Sequence, residues 1–259
     1  LFIVMGIKDN ILGTFRQQDN LSPDIWVKYD NVDEFLMQED VKEQLIEIAN
    51  KFIEFIDIDA DTCEIDTRDC DIIDMVVTGS IANYNWSKFS DIDLHIILDF
   101  SELGGDETMI RNFINTKKNL WNASHDITVR GFEVEVYGQD VDETHFSSGV
   151  YSILFNEWVV KPSYEKSDID PRKILSKAEP WMEIIDGLHS KQYEKDNSEM
   201  LELIDEVKRK LKKFRSCGLD EGGEYSYENL AFKFLKRSGY IKRLFQLKNN
   251  LIDLSLSLD

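Results

Sequence analysis

Four residues in one short stretch of the sequence have types and spacing suited to phosphate chemistry. Gly79-Ser80 closes an apolar run, and Asp91-x-Asp93 follows after ten intervening residues. Side chains alternate along a strand, so the two aspartates of a strand-like segment point to the same face. Two like charges this close are unfavourable unless a cation lies between them. The spacing therefore predicts a metal site at Asp91 and Asp93.

The chemistry of such a site follows from its oxygen ligands. Carboxylates favour Mg²⁺, or Mn²⁺ in its place, and leave coordination positions for substrate phosphates. In phosphoryl transfer the protein contributes mainly positioning and charge neutralisation. Gly79 has no side chain, so its backbone can approach a phosphate closely, and the Ser80 hydroxyl can donate to it. We therefore expect Gly79 and Ser80 to hold a nucleoside triphosphate.

The stretch from Thr78 to Leu94 resembles the DNA-polymerase-β superfamily of nucleotidyltransferases, whose hallmark is Gly-Ser, about ten residues and Asp-x-Asp. Thr-Gly-Ser-x-Ala-Asn-Tyr-Asn-Trp-Ser followed by Ser-Asp-Ile-Asp-Leu-His is similar to nucleotidyltransferases predicted in bacteriophages, and so are residues 228–233 and 254–258. The resemblance implies a magnesium-dependent enzyme that transfers a nucleoside monophosphate, from ATP or another triphosphate, to an acceptor hydroxyl and releases pyrophosphate. The acceptor is left open between RNA, a protein and a small molecule. A bacteriophage protein would act in the host cytoplasm.

The superfamily places a third carboxylate on a neighbouring strand, and residues 131–137 offer two candidates. Glu133 and Glu135 lie on the same face of that strand, so alternation does not separate them. We favour Glu135 because it is centred in the apolar run and resembles the glutamate in the Val-Glu-Ile-Gln strand of alarmone synthetases. The resemblance implies that it is a third metal ligand or the base for the acceptor hydroxyl.

Other side chains are candidates for contacts with the nucleotide. Many small members of the superfamily carry Arg or Gly after Gly-Ser, whereas residues 81–84 are Ile-Ala-Asn-Tyr here. We therefore expect Tyr84 and Lys88 to contact the nucleotide, and Lys161 to be a further phosphate contact. His95 alternates with the two aspartates and could approach the site, but we expect neighbouring groups to satisfy it.

Two other functions fit parts of the pattern. Pyrophosphate transfer of the alarmone-synthetase kind is suggested by the strand around Glu135, although those enzymes do not usually keep both aspartates. A non-catalytic module would bind a nucleotide and engage a partner through its helical tail. Their products differ, because nucleotidyl transfer releases pyrophosphate, pyrophosphate transfer releases a nucleoside monophosphate, and a binding module releases neither.

The composition narrows the class of protein. The chain has 259 residues, 42% hydrophobic and 31% charged, which is an ordinary globular profile. No apolar run approaches the roughly 20 residues of a membrane helix, so we expect no membrane partner. Cys63, Cys70 and Cys217 are too few for a disulfide framework and match no zinc spacing, which favours reduced thiols in a cytoplasmic protein. Met5 is a candidate natural start, which leaves open whether Leu1 to Val4 are native.

The net charge of −20 is unevenly distributed. Residues 1–198 hold 18 basic and 40 acidic residues, whereas residues 199–259 hold 12 basic and 10 acidic residues. An acidic surface repels nucleic acid unless a local patch overrides it. The run from Lys208 to Arg215 is such a patch or else the solvated face of an amphipathic helix. We expect a phosphate-rich partner to approach this C-terminal quarter.

Hydrophobic periodicity predicts an α/β (α+β) fold, and the resemblance implies that its sheet is a mixed-sheet nucleotidyltransferase core. The predicted domains are a catalytic domain with N-terminal helices, residues 1–165, and a helical C-terminal region, residues 166–259. In the predicted helix at 106–122, Met109, Phe113 and Leu120 are the candidate core residues. The other predicted helices are 20–56 (capped at Ser22-Pro23), 171–187, 197–215 and 227–255, and the predicted strands are 72–78, 91–98, 127–137, 152–155 and 157–161.

Overall fold

The computed structural model describes six segments of the chain: residues 10–28, 34–60, 71–144, 147–164, 168–192 and 196–258. The chain divides into two compact units, each with its own hydrophobic core. Residues 17–166 form the sheet unit, and residues up to 16 join residues 167–259 in the helical unit. None of the described helices is long and apolar enough to cross a membrane.

The sheet unit is mixed α/β. It begins with a two-stranded hairpin, β1 (Trp26–Lys28) and β2 (Phe35–Met37), followed by helix α1 (Glu39–Ala60). Helix α2 (Glu107–Ser124) lies later in this unit. The remaining strands are β3 (Asp74–Thr78), β4 (Ile92–Leu98), β5 (Thr128–Val129), β6 (Phe132–Asp140), β7 (Val150–Ser152) and β8 (Glu157–Val160).

These last strands form one six-stranded sheet in the order β5-β6-β4-β3-β7-β8. Strands β4 and β6 are parallel, and every other neighbouring pair is antiparallel. Apolar side chains of β4 share a core with α1 and α2, so the helices cover one face of the sheet. This core includes Ile92, Leu94, Ile96, Leu45, Ile48, Phe52, Ile110, Ile114 and Trp121.

The predicted helix at 20–56 begins only at Glu39, so its first part is wrong. The Ser22 carbonyl accepts from the amides of Ile25 (3.1 Å) and Trp26 (2.8 Å), which closes a turn that leads into β1. The Trp26 ring packs between aromatic side chains of β7 and β8, at 4.9 Å from Tyr151 and 4.7 Å from Trp158. Burial of this ring in the tertiary structure overrides local helix propensity.

The buried face of α2 is rotated by one residue from the predicted one. Met109 and Leu120 are exposed, and Phe113 is only half-buried. Lys117 lies on the buried face, where its ammonium donates to the Phe55 carbonyl (3.3 Å) and lies 4.4 Å from the Phe55 ring centroid. A lysine that buries its stem hides the apolar period. The buried residues are Ile110, Ile114, Lys117 and Trp121.

The predicted strand at 127–137 is a hairpin rather than one strand. Arg130 and Gly131 have φ values of 53° and 83°, the positive values that a tight primed turn requires, and they separate β5 from β6. The predicted hairpin near Asn156 is confirmed, since β7 and β8 pair around a turn in which Asn156 has a φ of 55°.

The helical unit contains α3 (Pro171–Lys191), α4 (Asn197–Gly222), α5 (Tyr227–Arg237) and α6 (Tyr240–Leu256). The predicted helix at 227–255 is interrupted, because Gly239 has a φ of 82°. The structure places residues 10–16 in this unit, whereas the sequence placed them with the catalytic domain. The Arg237 guanidinium lies 4.6 Å from the Phe15 ring centroid and donates to the Thr14 hydroxyl at 3.0 Å.

Several basic side chains of the helical unit are engaged by acidic ones. Lys210 pairs with Glu206 (2.7 Å), and Lys248 pairs with Asp205 (2.5 Å). These exposed pairs neutralise part of the positive charge that would attract a phosphate-rich partner. They support the interpretation of the run from Lys208 to Arg215 as the solvated face of an amphipathic helix. Cys217 is an exposed free thiol of α4, whereas Cys63 and Cys70 lie outside the described residues.

Candidate metal centre

Neighbouring strands bring three of the predicted carboxylates together. Asp93 of β4 and Glu135 of β6 are register partners in the parallel pair. Asp91 lies one residue before β4, on the same face as Asp93. Each carboxylate offers an oxygen within 4.8 Å of the other two, and all three side chains are half-buried. We call Asp91, Asp93 and Glu135 the carboxylate cluster.

Strand register separates the two candidate glutamates, which alternation alone could not do. Glu133 is exposed and pairs with Thr128 of the edge strand β5. Glu135 instead faces β4 at the position of Asp93. The structure therefore brings Glu135, and not Glu133, into the carboxylate cluster.

The ligand set of the cluster fits a hard divalent cation. Its three ligands are carboxylate oxygens, which suit Mg²⁺ or Mn²⁺ rather than the softer metals that prefer nitrogen or sulfur. Half-buried side chains leave room for additional ligands from water or substrate. Within the described segments, no other group of three His, Cys, Asp or Glu side chains comes as close together.

Gly79 makes room for one of these carboxylates. It directly follows β3, whose last residue, Thr78, is the register partner of Asp93. A Cβ atom on Gly79 would lie 2.1 Å from Asp93 Oδ2, and the residue has a φ of 77° that side chains rarely adopt. Both constraints require glycine at this position. The sequence predicted that the Gly79 backbone approaches a phosphate. In the structure, the group that lies against Gly79 is the Asp93 carboxylate, which the sequence did not predict.

A hydrogen-bonded loop explains the ten-residue spacing of the motif. The Ser80 and Ser90 hydroxyls lie 2.8 Å apart and share a hydrogen bond, and the Ser87 amide donates to the Ser90 hydroxyl at 3.0 Å. These contacts close the loop and hold Asp91 next to the Gly79-Ser80 turn. Ser80–Ala82 forms a single 3-10 turn, so a phosphate would depend on few backbone amides there.

A second loop, residues 147–149, packs against the Gly-Ser turn. The Gly79 amide donates to the Ser147 hydroxyl at 3.3 Å, and the Asn83 side-chain amide donates to the Ser148 hydroxyl. A Cβ on Gly149 would lie 2.0 Å from the Ala82 carbonyl oxygen, so the two backbones are in close contact. Sequence analysis missed this loop. Its only local signal is a Ser-Ser-Gly triplet before the apolar strand β7.

Tyr137 fixes one oxygen of the cluster. Its hydroxyl donates to Glu135 Oε2 at 2.5 Å. Burial raises the pKa of the Tyr137 hydroxyl, and the hydrogen bond to Glu135 and the nearby negative charges raise it further. Tyr137 therefore stays a neutral donor at physiological pH. It lies two residues after Glu135 on the same strand face, which could have identified it from the sequence.

His95 is satisfied by its neighbours, as expected. Its ring stacks on Tyr137 with a centroid distance of 4.7 Å and an interplanar angle of 13°. His95 Nδ1 lies 2.7 Å from Gln139 Oε1, and Gln139 Nε2 donates to the Glu143 carbonyl at 3.1 Å. Because the Gln139 amide nitrogen is the donor to Glu143, its oxygen accepts from His95. This chain of contacts supports the Tyr137 ring behind Glu135.

The other predicted nucleotide contacts lie against aromatic or acidic side chains. The Lys88 ammonium is 5.1 Å from the Phe89 ring centroid. The Tyr84 ring meets the Tyr164 ring edge-on at 5.3 Å. Lys161 pairs with Glu34 at 2.9 Å. Nucleotide binding by Tyr84, Lys88 and Lys161 stays a prediction.

Comparisons with protein-family models, with curated proteins and with solved structures found no match. The resemblance to polymerase-β-type nucleotidyltransferases therefore rests on the Gly-Ser and Asp-x-Asp motif. The structure itself shows a mixed α/β unit with an acidic cluster that could hold a metal ion.

Proposed function

We propose that the chain is a magnesium-dependent nucleotidyltransferase. The observation that carries this proposal is the carboxylate cluster next to Gly79, with oxygens of Asp91, Asp93 and Glu135 within 4.8 Å of one another. Three carboxylates repel one another at such distances, so their assembly on one sheet face is favourable mainly with a cation. The Gly79-Ser80 turn lies beside the carboxylates and could hold a phosphate group. Its position supports phosphate as the substrate group that binds the cation.

The proposed reaction transfers a nucleoside monophosphate. The oxygen of an acceptor hydroxyl attacks the α-phosphorus of a nucleoside triphosphate, and the bond from that phosphorus to the bridging oxygen breaks. The bonding electrons leave with pyrophosphate, and the hydroxyl proton passes to a carboxylate of the site or to water. Bound Mg²⁺ supplies the charge neutralisation that this exchange requires.

The residues of the chain have separate tasks in this proposal. Asp91 and Asp93 hold the metal ion, and Glu135, oriented by Tyr137, is the third ligand or the base for the acceptor hydroxyl. Gly79 leaves space for the Asp93 carboxylate. Ser80 lies in the same turn, and its hydroxyl donates to a phosphate. Positioning of this kind accounts for most of the catalysis in phosphoryl transfer.

The test is metal-dependent release of pyrophosphate. The protein is incubated with Mg²⁺ and each common nucleoside triphosphate labelled at the α-phosphate, and both pyrophosphate and the label are followed. Nucleotidyl transfer releases pyrophosphate and moves the label to an acceptor. Release of a nucleoside monophosphate without pyrophosphate would indicate pyrophosphate transfer instead, and nucleotide binding without either product would indicate a binding module.

A further inference from the structure

A side chain of helix α2, Asn122, bonds to the backbone of the strand that carries the third carboxylate. The Val136 amide donates to Asn122 Oδ1 at 3.0 Å, and Asn122 Nδ2 donates to the Val136 carbonyl at 3.0 Å. A backbone amide can only donate and a carbonyl can only accept, so the two bonds fix the orientation of the side-chain amide. Asn122 therefore pairs with β6 as a residue of a neighbouring strand would.

Asn122 continues an edge of β6 that β5 leaves short. Strand β5 pairs with β6 as far as Glu133, and the Ile127 carbonyl accepts from the Val134 amide at 2.9 Å. The opposite edge of β6 pairs with β4. Val136 is fully buried, and buried backbone groups need hydrogen-bond partners. The Asn122 side chain supplies them at the point where the pairing with β5 has ended.

The bonded residue lies between two side chains of the candidate metal centre. Val136 separates Glu135 from Tyr137 on β6. Its amide belongs to the peptide unit that follows Glu135, and its carbonyl belongs to the peptide unit that precedes Tyr137. The Tyr137 hydroxyl in turn donates to Glu135 Oε2 at 2.5 Å. Asn122 therefore fixes the backbone from which both partners of that hydrogen bond project.

We propose that Asn122 is a positioning residue for the carboxylate cluster, and that it holds Glu135 and Tyr137 in the arrangement that binds the metal ion. The inference rests on the metal site of the proposed function. The three carboxylates repel one another without a cation, so a loose β6 would let Glu135 move away from Asp93. Bringing it back would weaken metal binding, whereas a backbone fixed in advance avoids that cost.

The first arm of the test measures metal affinity without nucleotide. Binding of Mn²⁺ is followed through the electron paramagnetic resonance signal of the free ion, for the wild type and for Asn122→Leu, which keeps the size of the side chain and removes both hydrogen bonds. We expect the dissociation constant to rise about tenfold, the lower end of the loss caused by removing outer contacts of metal ligands. Asn122→Ala leaves space for water at Val136, so its rise should be smaller, and it replaces the leucine variant if that variant does not fold. An unchanged dissociation constant in the folded variants overturns the inference.

A matched control separates positioning from a general loss of stability. Ile110→Val removes a methylene group from the buried face of the same helix and leaves the Asn122 hydrogen bonds intact. The control and the Asn122 variants should all lower the melting temperature of the metal-free protein. The control should nevertheless keep the Mn²⁺ dissociation constant within about twofold of the wild-type value. A rise equal to that of the Asn122 variants overturns the positioning role, because any loosening of the helix would then suffice.

A double-variant cycle tests the route through Tyr137. If Asn122 acts by holding Glu135 and Tyr137 as a pair, part of its effect is already lost once Tyr137→Phe has removed their hydrogen bond. The combined variant Asn122→Leu with Tyr137→Phe should then weaken Mn²⁺ binding by less than the product of the two single effects. The full product would show that Asn122 acts independently of the pair, and it overturns the inference.

Failure of the proposed function is measured separately, by release of pyrophosphate from a nucleoside triphosphate with Mg²⁺ and the wild type. If Mn²⁺ binding depends on Asn122 but no nucleotide is transferred, the proposed function fails and the positioning role stands. If nucleotide is transferred and the Asn122 variants bind Mn²⁺ as the wild type does, the positioning inference alone fails. If the wild type binds no Mn²⁺, the metal site fails and the inference fails with it.

Discussion

The two faces of strand β4 contrast sharply within one alternating run of residues. Ile92, Leu94 and Ile96 are fully buried in the core shared with α1 and α2. Asp93 and His95, on the opposite face, are half-buried and belong to the candidate site. Burial of the apolar face lowers the free energy of folding, whereas the clustered carboxylates raise it. Burial of the apolar face thus offsets the destabilising repulsion between the carboxylates on the polar face.

This contrast predicts opposite consequences for substitutions on the two faces. Removing a carboxylate of the cluster on the polar face should abolish activity and leave stability unchanged or increased, because function and stability conflict there. Changes on the apolar face should lower stability, while the molecules that remain folded stay active. Opposite effects on activity and on stability would distinguish a functional cluster from acidic residues that are simply exposed to solvent.

The largest expected effect is that of removing the charges of Asp91 and Asp93. The double variant Asp91→Asn with Asp93→Asn should lose at least about 10³-fold in turnover, or about 4 kcal/mol of transition-state stabilisation. Without metal its melting temperature should equal or exceed that of the wild type, since carboxylate repulsion is relieved. Rates of pyrophosphate release and metal-free thermal melts measure the two quantities. A variant that melts much lower and keeps its activity would contradict the contrast.

The two glutamates of β6 sharpen the comparison within one strand face. Glu135→Gln should lower turnover by about 10³-fold, as expected for a residue in contact with the reacting groups. Glu133→Gln, which is its matched control on the same face, should change turnover by no more than a few-fold, because Glu133 pairs with the edge strand. Steady-state kinetics on both variants decide between them. A reversed order would transfer the third-carboxylate role to Glu133.

Leu94→Ala tests the apolar face. Leu94 is 0% exposed, and removing its side chain should lower the free energy of unfolding by about 2–5 kcal/mol. Chemical denaturation measures this loss, and activity is corrected for the folded fraction. We expect the corrected turnover to stay within a few-fold of the wild-type value. A loss of activity that exceeds the unfolded fraction would show that the two faces are not independent.

The smallest effect is expected for the hydrogen bond behind the cluster. Tyr137→Phe removes the hydroxyl that donates to Glu135 at 2.5 Å and keeps the ring that stacks on His95. Loss of an outer hydrogen bond to a metal ligand typically weakens metal affinity about 10–100-fold. Titration with Mg²⁺ should therefore show a higher half-saturating concentration and a similar rate at saturation. A rate that stays low at saturating Mg²⁺ would give Tyr137 a role beyond orientation.

Local sequence patterns predicted the parts of the site that depend on local periodicity. Alternation placed Asp91 and Asp93 on one face, and the apolar runs placed β3 and β4 nearly at their observed bounds. The choice of Glu135 needed the register of β4 against β6, which no local pattern specifies. Ser147 lies 68 residues from its partner Gly79, so only the tertiary structure shows the contact.

The errors in the fold have a similar origin. Trp26 and its neighbours form β1 because the Trp26 ring packs between side chains of β7 and β8, more than a hundred residues later in the chain. The buried face of α2 includes Lys117, whose charge conceals the apolar period. In both regions long-range packing determines the structure, and local sequence patterns do not predict such packing.

The most direct test of the carboxylate cluster is its response to metal and nucleotide. Thermal unfolding is followed with and without Mg²⁺ plus a nucleoside triphosphate, for the wild type and for the Asp91→Asn, Asp93→Asn double variant. Ligands at about 100 times their dissociation constant stabilise the native state by about 2.7 kcal/mol, a shift of roughly 5–10 °C at this chain length. We expect that shift in the wild type and none in the variant. Equal shifts in both proteins, or no shift in the wild type, would contradict a metal–nucleotide site at this cluster.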